Sequence, residues 1–230
     1  MNLDNMRNTV MYHLAQKARN AVRYAAETYK FKKQFTKQKP CRIVVGASGV
    51  FDEGWVPTDK GVLNLLKPGD WKRFFKPKSI DAILAEHVWE LLTEEDGITA
   101  ARTCYKYLKQ GGYLRVAVPD GLHPDSNYIE WVRVGGIGPG ANDHKVLYTY
   151  NTFKNIFEAV GFRVVLYEYF DEQGTFHYNE WDANDGKIIR SRRFDERNKD
   201  GDLKYTSIIM DAKKDKKRFI TTNGMLMMER

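Results

Sequence analysis

Residues 42–59 read RIVVGASGVFDEGWVPTD. Ile43-Val44-Val45 is a short, β-branched, apolar run, which suits a buried strand. It ends in four small residues, Gly46-Ala47-Ser48-Gly49, and Asp59 follows a second strand-like run at 55–58. Small residues let a backbone approach a ligand closely and leave its N–H groups open to bind. In open α/β sheets, ligands collect beyond the carboxyl ends of the strands, so the residues just after each strand matter most. GASG is not GxGxxG and no phosphate-loop Lys follows, which argues against phosphate binding at this turn. By itself the stretch suits a ligand cradle and an ordinary tight turn equally.

Working outward, strand and helix patterns alternate. Strand-like runs occur at 42–46, 55–58, 63–65, 80–85, 113–118, 162–170 and 204–212. Thr93 is a helix N-cap, with Asp96 as its capping-box-like partner, and places Ile98, Ala101, Tyr105 and Leu108 on one face. That helix is expected to end at Gly111-Gly112, and a second one, from Asn151 to Val160, at Gly161. The alternation predicts an α/β fold with a mostly parallel sheet covered by helices. Residues 171–203 break the rhythm. Asn184-Asp185-Gly186 is a turn signal between runs at 176–182 and 187–194, which predicts an inserted β-hairpin.

The chain has 230 residues and a net charge of +7. Residues 1–40 hold nine Lys or Arg against two acids, and a second basic cluster runs Lys213-Lys214-Asp215-Lys216-Lys217-Arg218. The expected organisation is an N-terminal basic amphipathic helix or arm (1–40), a main domain (41–212, with the insertion at 171–203) and a basic tail (213–230). The helical part of the arm is expected at 8–30, followed by KFKKQFTKQK with Phe31 and Phe35 interleaved. Such an arm suits packing on its own domain, a homodimer contact, an anionic membrane surface or nucleic acid. No apolar run approaches the roughly 18 residues needed to span a bilayer. The first residues lack a signal-peptide block, so a cytoplasmic protein is expected. Cys41 and Cys104 are too few for a disulfide framework and have no metal-ligand spacing.

The segments SIDAILAEHVWELLTEEDGITAARTCYKYLKQGGYLRVAVPDG (79–121), NTFKNIFEAVGF (151–162) and YTSIIMDAKK (205–214) carry a family resemblance. Together they resemble a class I S-adenosylmethionine-dependent methyltransferase, most closely bacterial members with an EHV-EHL signature. The resemblance covers roughly residues 42–212 and rests most on Glu86-His87-Val88-Trp89-Glu90 and Lys109 to Leu114. It implies a Rossmann-like sheet of seven strands, mostly parallel with an antiparallel last strand. It implies S-adenosylmethionine as cofactor, with Gly46, Ala47, Ser48 and Gly49 along its methionine part and Asp59 on the ribose. It further implies Asn64 and Leu65 near the adenine, and Glu86 and His87 facing the methyl-transfer centre. This chain departs from the pattern in two places. Val45 with Ala47-Ser48 replaces a more acidic and glycine-rich first motif, and Leu91 stands where a second His is usual.

Methyl transfer to a hydroxyl wants alignment and a base near neutral pH. His144, in the glycine-rich loop GGIGPGANDHKVLY, is the first candidate, with Asp143 to orient it; His87 is the second. His123 and His177 are weaker, and His13 lies in the arm. Asp120, His123 and Asp125 lack strong ligand spacing, so no metal is expected. Arg190, Arg192, Arg193 and Arg197 are interleaved with acids, which suits either a solvated face or a phosphate-bearing acceptor. The expected activity is methyl transfer to an O or N atom of a small molecule, with a sugar or a lipid-linked or nucleotide-linked glycan in view. A lipid-linked acceptor would suit a site at the inner membrane face. A non-catalytic scaffold of the same fold is the alternative. A nucleic-acid methyltransferase is disfavoured, because no Asn-Pro-Pro-aromatic motif occurs.

Overall fold

In the computed structural model, Ile43-Val44-Val45 lies one strand in from the edge of a seven-stranded sheet. The backbone is described for residues 3–37, 39–215, 218–220 and 226–228, and the side chains for residues 11–37 and 39–215. The chain runs α1 (Leu3–Lys37), β1 (Arg42–Val45), β2 (Val56–Thr58), α2 (Pro68–Phe74), β3 (Ile80–Glu86), α3 (Glu94–Tyr107), β4 (Leu108–Pro119) and α4 (Ser126–Val132). It continues through α5 (Tyr150–Glu158), β5 (Arg163–Phe170), β6 (Phe176–Tyr178) and β7 (Ser207–Lys213). A separate antiparallel ribbon joins β8 (Arg218–Ile220) to β9 (Leu226–Met228). The main sheet has the order β2-β1-β3-β4-β7-β5-β6. Strands β2, β1, β3 and β4 are parallel, whereas β7 runs antiparallel to both of its neighbours, β4 and β5. The expected α/β architecture with a reversed last strand is therefore present.

Alternation along the strands explains the two cores. Ile43, Val45, Ile83, Leu114, Val116 and Met210 point to one face, where they meet residues of α3 and α5 such as Ala101, Cys104, Phe153 and Phe157. Val44, Leu84, Ala117 and Ile209 point to the other, against Trp55, Trp181 and Ile188. The first face is roofed by helices. The second is roofed in large part by the irregular segment 179–198, so these strands read as continuous apolar runs.

That segment corrects the hairpin expected at 171–203. Only 176–178 forms a strand, and it pairs back onto β5 as the seventh strand of the sheet. Residues 183–185 make a 3-10 turn, and 187–194 form no strand. Side chains satisfy their backbone in place of a partner strand. Arg115, buried and paired with Asp211 at 2.8 Å, donates to the carbonyls of Asp182 and Gly186. Glu86 accepts the N–H groups of Ile189 and Arg190, and Glu168 accepts that of Arg192.

Other boundaries moved for local reasons. The strand expected at 63–65 is a turn closed by N–H groups of Val62 and Leu63 on the Asp59 carbonyl. α3 ends at Tyr107, and Gly111, at φ +81°, serves an irregularity in the β3–β4 register instead of a helix stop. α1 continues beyond residue 30 because Phe31 and Phe35, one turn apart, pack on Phe74 and Phe75 with ring centroids 4.9 Å apart. Of the basic tail, Lys214 is buried and donates to the carbonyls of Tyr105 and Leu108 at the end of α3. Asp215 pairs with Arg163. Lys216, Lys217 and the side chain of Arg218 lie outside the described residues.

Candidate active site

The loops after β1, β2 and β3 meet at His87. Gly46 sits in the left-handed region at φ +65°, and a Cβ there would lie 2.6 Å from Val88 Cγ2. Glycine is thus required twice over, by backbone conformation and by the approach of the Val88 turn. Ser48 and Gly49 also have positive φ, so the loop folds sharply back on itself. Asp59 locks it: Oδ1 accepts the Ser48 N–H at 2.9 Å. No hydrogen bond occupies Oδ2 among the described residues.

A cleft of about 370 Å³ opens between these loops. Gly46, Ser48 and Asp59 form its polar side, while Leu63, Leu65, Leu91 and Leu92 form an apolar wall. Asn64 also lines the cleft, and its Oδ1 accepts the Leu66 N–H at 2.9 Å, holding the 63–66 turn. Leu91 is therefore part of the apolar wall. On the other side of Gly46 and His87 lies a second cleft of about 480 Å³, bordered by Ala47, Phe51, Glu86 and Arg190. A third space of about 220 Å³ holds His144 with His87, Arg190 and Tyr205. His87 borders all three.

His87 is held firmly. It is a non-glycine residue at φ +54°, a conformation that costs energy and persists only where its surroundings enforce it. Its N–H donates to the Ala117 carbonyl at 2.9 Å. Its Nδ1 meets Glu90 Oε1 at 3.1 Å, and its Nε2 meets Ser207 Oγ at 3.1 Å. Glu90 and Ser207 are buried. Beside the Glu90 carboxylate Nδ1 carries the proton, and Nε2 faces the Ser207 hydroxyl. Glu90 and Ser207 were not singled out from sequence. The i,i+3 spacing in HVWE was the available signal for Glu90, but Ser207 is 120 residues from His87 and gave none.

His144 differs. Its Nδ1 lies 2.7 Å from the Val132 carbonyl, an acceptor, so Nδ1 carries the proton. In the neutral ring Nε2 is then left with its lone pair. The orienting group is this carbonyl rather than Asp143, whose side chain makes no hydrogen bond with the ring. Gly138 and Gly140 shape the loop: a Cβ at Gly138 would meet the Trp131 carbonyl at 2.5 Å.

The side chains of the remaining candidates are held by neighbouring groups. His123 is buried, stacks on Tyr128 at 4.0 Å, meets the Leu203 carbonyl through Nε2 and accepts the Asp125 N–H at Nδ1. Burial lowers its pKa. Asp120 is buried too, and its carboxylate accepts the N–H groups of Leu122 and Phe170. Burial pushes its pKa up to about 6 against those two bonds. His177 pairs with Asp171 at 2.6 Å on the surface. Glu86 spends both oxygens on the amides of Ile189 and Arg190. No group of three or more His, Cys, Asp or Glu among the described residues could hold a metal ion.

No family model matches the chain, and no curated protein matches it in sequence. Solved structures do align with it. A SAM-dependent methyltransferase from Archaeoglobus fulgidus is 16% identical, over 82% of this chain and 92% of that one, with a TM-score of 0.41. One from Thermotoga maritima is 12% identical, over 87% and 95%, with a TM-score of 0.44. The YcgJ protein of Bacillus subtilis is 14% identical, over 82% and 100%, with a TM-score of 0.40.

Proposed function

We propose that the chain is an S-adenosylmethionine-dependent methyltransferase acting on an oxygen or nitrogen of a small molecule or glycan. One observation carries this reading. A cleft with a carboxylate and an apolar wall meets, at His87, a polar pocket that holds an oriented imidazole base. The residues present fit the cofactor. Asp59 Oδ2 suits a ribose diol, the leucine wall with Asn64 suits an adenine, and the Gly46–Gly49 backbone suits the methionine end.

When bound, the cofactor supplies an electrophilic methyl group on a sulfonium, a good leaving group. The protein's own work is then alignment and proton removal. Gly46 and Val88 hold the loop that separates the clefts. His87, fixed by Glu90 and Ser207, marks the junction and orients what lies on either side. His144 takes the acceptor's proton on Nε2, with Val132 stabilising the resulting imidazolium through Nδ1–H.

The arm has a role in this reading too. Met11, Leu14 and Val22 of α1 are exposed, beside Lys17, Arg19 and Arg23, a pattern that suits the face of an anionic membrane. No described helix is long and apolar enough to cross one. Calorimetric titration with S-adenosylhomocysteine tests the central proposal: saturable binding is expected. No heat and no thermal shift at millimolar ligand would favour a scaffold that keeps the fold without the activity.

A further inference from the structure

The pocket around His144 is lined by two guanidiniums and two imidazoles, from Arg190, Arg197, His87 and His144, and by no carboxylate. The two arginines are not equivalent. Arg197 is neutralised: Nε and Nη2 each donate to Asp195 at 2.7 Å, and the guanidinium lies 3.4 Å from the centroid of the Tyr205 ring.

Arg190 is paired more loosely, with Glu86 and at longer range with Asp195. Its Nη1 comes only within 3.5 Å of Glu86 Oε1, and its side chain is 45% exposed. Glu86 already accepts two backbone N–H groups, at 3.0 and 2.7 Å, so the carboxylate is committed to holding the segment in place. The Nε and Nη2 of Arg190 make no hydrogen bond with the described residues. A guanidinium with open donors on the lining of a pocket is the geometry that takes a carboxylate or phosphate through two parallel hydrogen bonds.

We propose that the pocket binds a small organic anion, its carboxylate or phosphate group held by Arg190 next to Arg197 and Tyr205, with the atom to be methylated facing His144. The statement about the methylated atom rests on the methyltransferase reading; the anion site does not. The occupant is small. The space around His144 is about 220 Å³, room for a compact molecule only. Trp131 and Tyr205 give the pocket apolar walls for a compact carbon skeleton.

The test is calorimetric titration of the full-length protein at low salt with two probes, inorganic phosphate and succinate. Wild type is compared with Arg190→Ala and with Arg192→Ala, whose guanidinium lies over Tyr178 and outside the pocket. At least one probe should bind wild type saturably, with a dissociation constant in about the millimolar range. Arg190→Ala should weaken that binding about tenfold or more, and Arg192→Ala should leave it unchanged. Arg190→Lys, which keeps the charge but loses the fork, should fall between. No binding of either probe, or equal loss in the Arg190 and Arg192 variants, would overturn the proposal. S-adenosylhomocysteine titrated in parallel separates the two readings. If it binds while both anions fail, the methyltransferase stands and the anion site falls. If an Arg190-dependent anion binds while it fails, the reverse holds.

Discussion

His144 donates its Nδ1–H to the carbonyl of Val132 at 2.7 Å, and this bond decides which nitrogen of the ring is left basic. The ring reaches the pocket through the loop between α4 and α5, and Val132 is the last residue of α4. The ring is therefore positioned by a helix end. If His144 is the base, His144→Gln should lower kcat by about a hundredfold or more, the usual worth of a general base. The affinity for S-adenosylhomocysteine should not change, because His144 does not line the leucine-walled cleft. An unchanged kcat would remove the role.

Asp59 Oδ1 accepts the Ser48 N–H, and Oδ2 is the oxygen that our proposal gives to the ribose. Asp59→Ala removes the Ser48 N–H partner and, on our reading, the ribose contact. A hydrogen bond to a charged group contributes about 1.5–3 kcal/mol, so cofactor affinity should fall at least about tenfold. Asp59→Asn keeps one carbonyl for Ser48 and should lose less. Equal affinity in Asp59→Ala and wild type, by calorimetry, would show that the ribose lies elsewhere.

Gly46→Ala puts a methyl group 2.6 Å from Val88 Cγ2 at a φ of +65°. The clash and the backbone strain together should destabilise the fold by about 2–4 kcal/mol. Val88→Ala should recover only the part that comes from the clash. Chemical denaturation of both single variants and the double variant reads the split. Simple additivity would mean that the two side chains do not compete for the same space.

Asp120 makes stability depend on pH. Burial raises its pKa from an ordinary 3.8 to about 6, so the folded state holds the proton more tightly than the unfolded one. This contribution is complete below about pH 4 and is lost as pH rises through about 6. It amounts to about 3 kcal/mol. Asn at this position cannot titrate. The stability of wild type minus that of Asp120→Asn should therefore fall by about that amount between pH 4 and pH 7. Parallel curves would show that the carboxylate titrates normally.

The exposed cations of α1 give the arm its test. Each Lys or Arg near an anionic surface contributes about 1 kcal/mol. Reversing Lys17, Arg19 and Arg23 to Glu should release the protein from phosphatidylserine vesicles in a sedimentation assay, with an unchanged melting curve. Equal recovery of wild type and variant in the supernatant would leave the arm without a membrane role.

Much of the framework could be read from local patterns. The apolar runs at 42–46, 80–85 and 113–118 each correspond to a central strand, and Thr93 caps its helix by accepting the Asp96 N–H. Gly46, Ser48, Asp59 and His87, offered by their place at strand ends, line one cleft with Asn64 and Leu65, which the family resemblance offered; Ala47 and Gly49 do not line it. The segment 187–194 was misread for a clear reason. Its backbone N–H groups at Ile189, Arg190 and Arg192 are taken by the carboxylates of Glu86 and Glu168, from far along the chain, instead of by a partner strand.

The sequence by itself determined the layered sheet and the loop beyond β1, because strand periodicity, helix caps and left-handed glycines are properties of neighbouring residues. Tertiary structure alone decided what the polar groups do. Glu86 meets amides 103 and 104 residues away. Asp120 accepts a backbone N–H 50 residues on, and His87 finds Ser207 across 120. A buried carboxylate or imidazole takes its role from whichever donor reaches it once water is excluded, and that donor is chosen by the packing of distant segments.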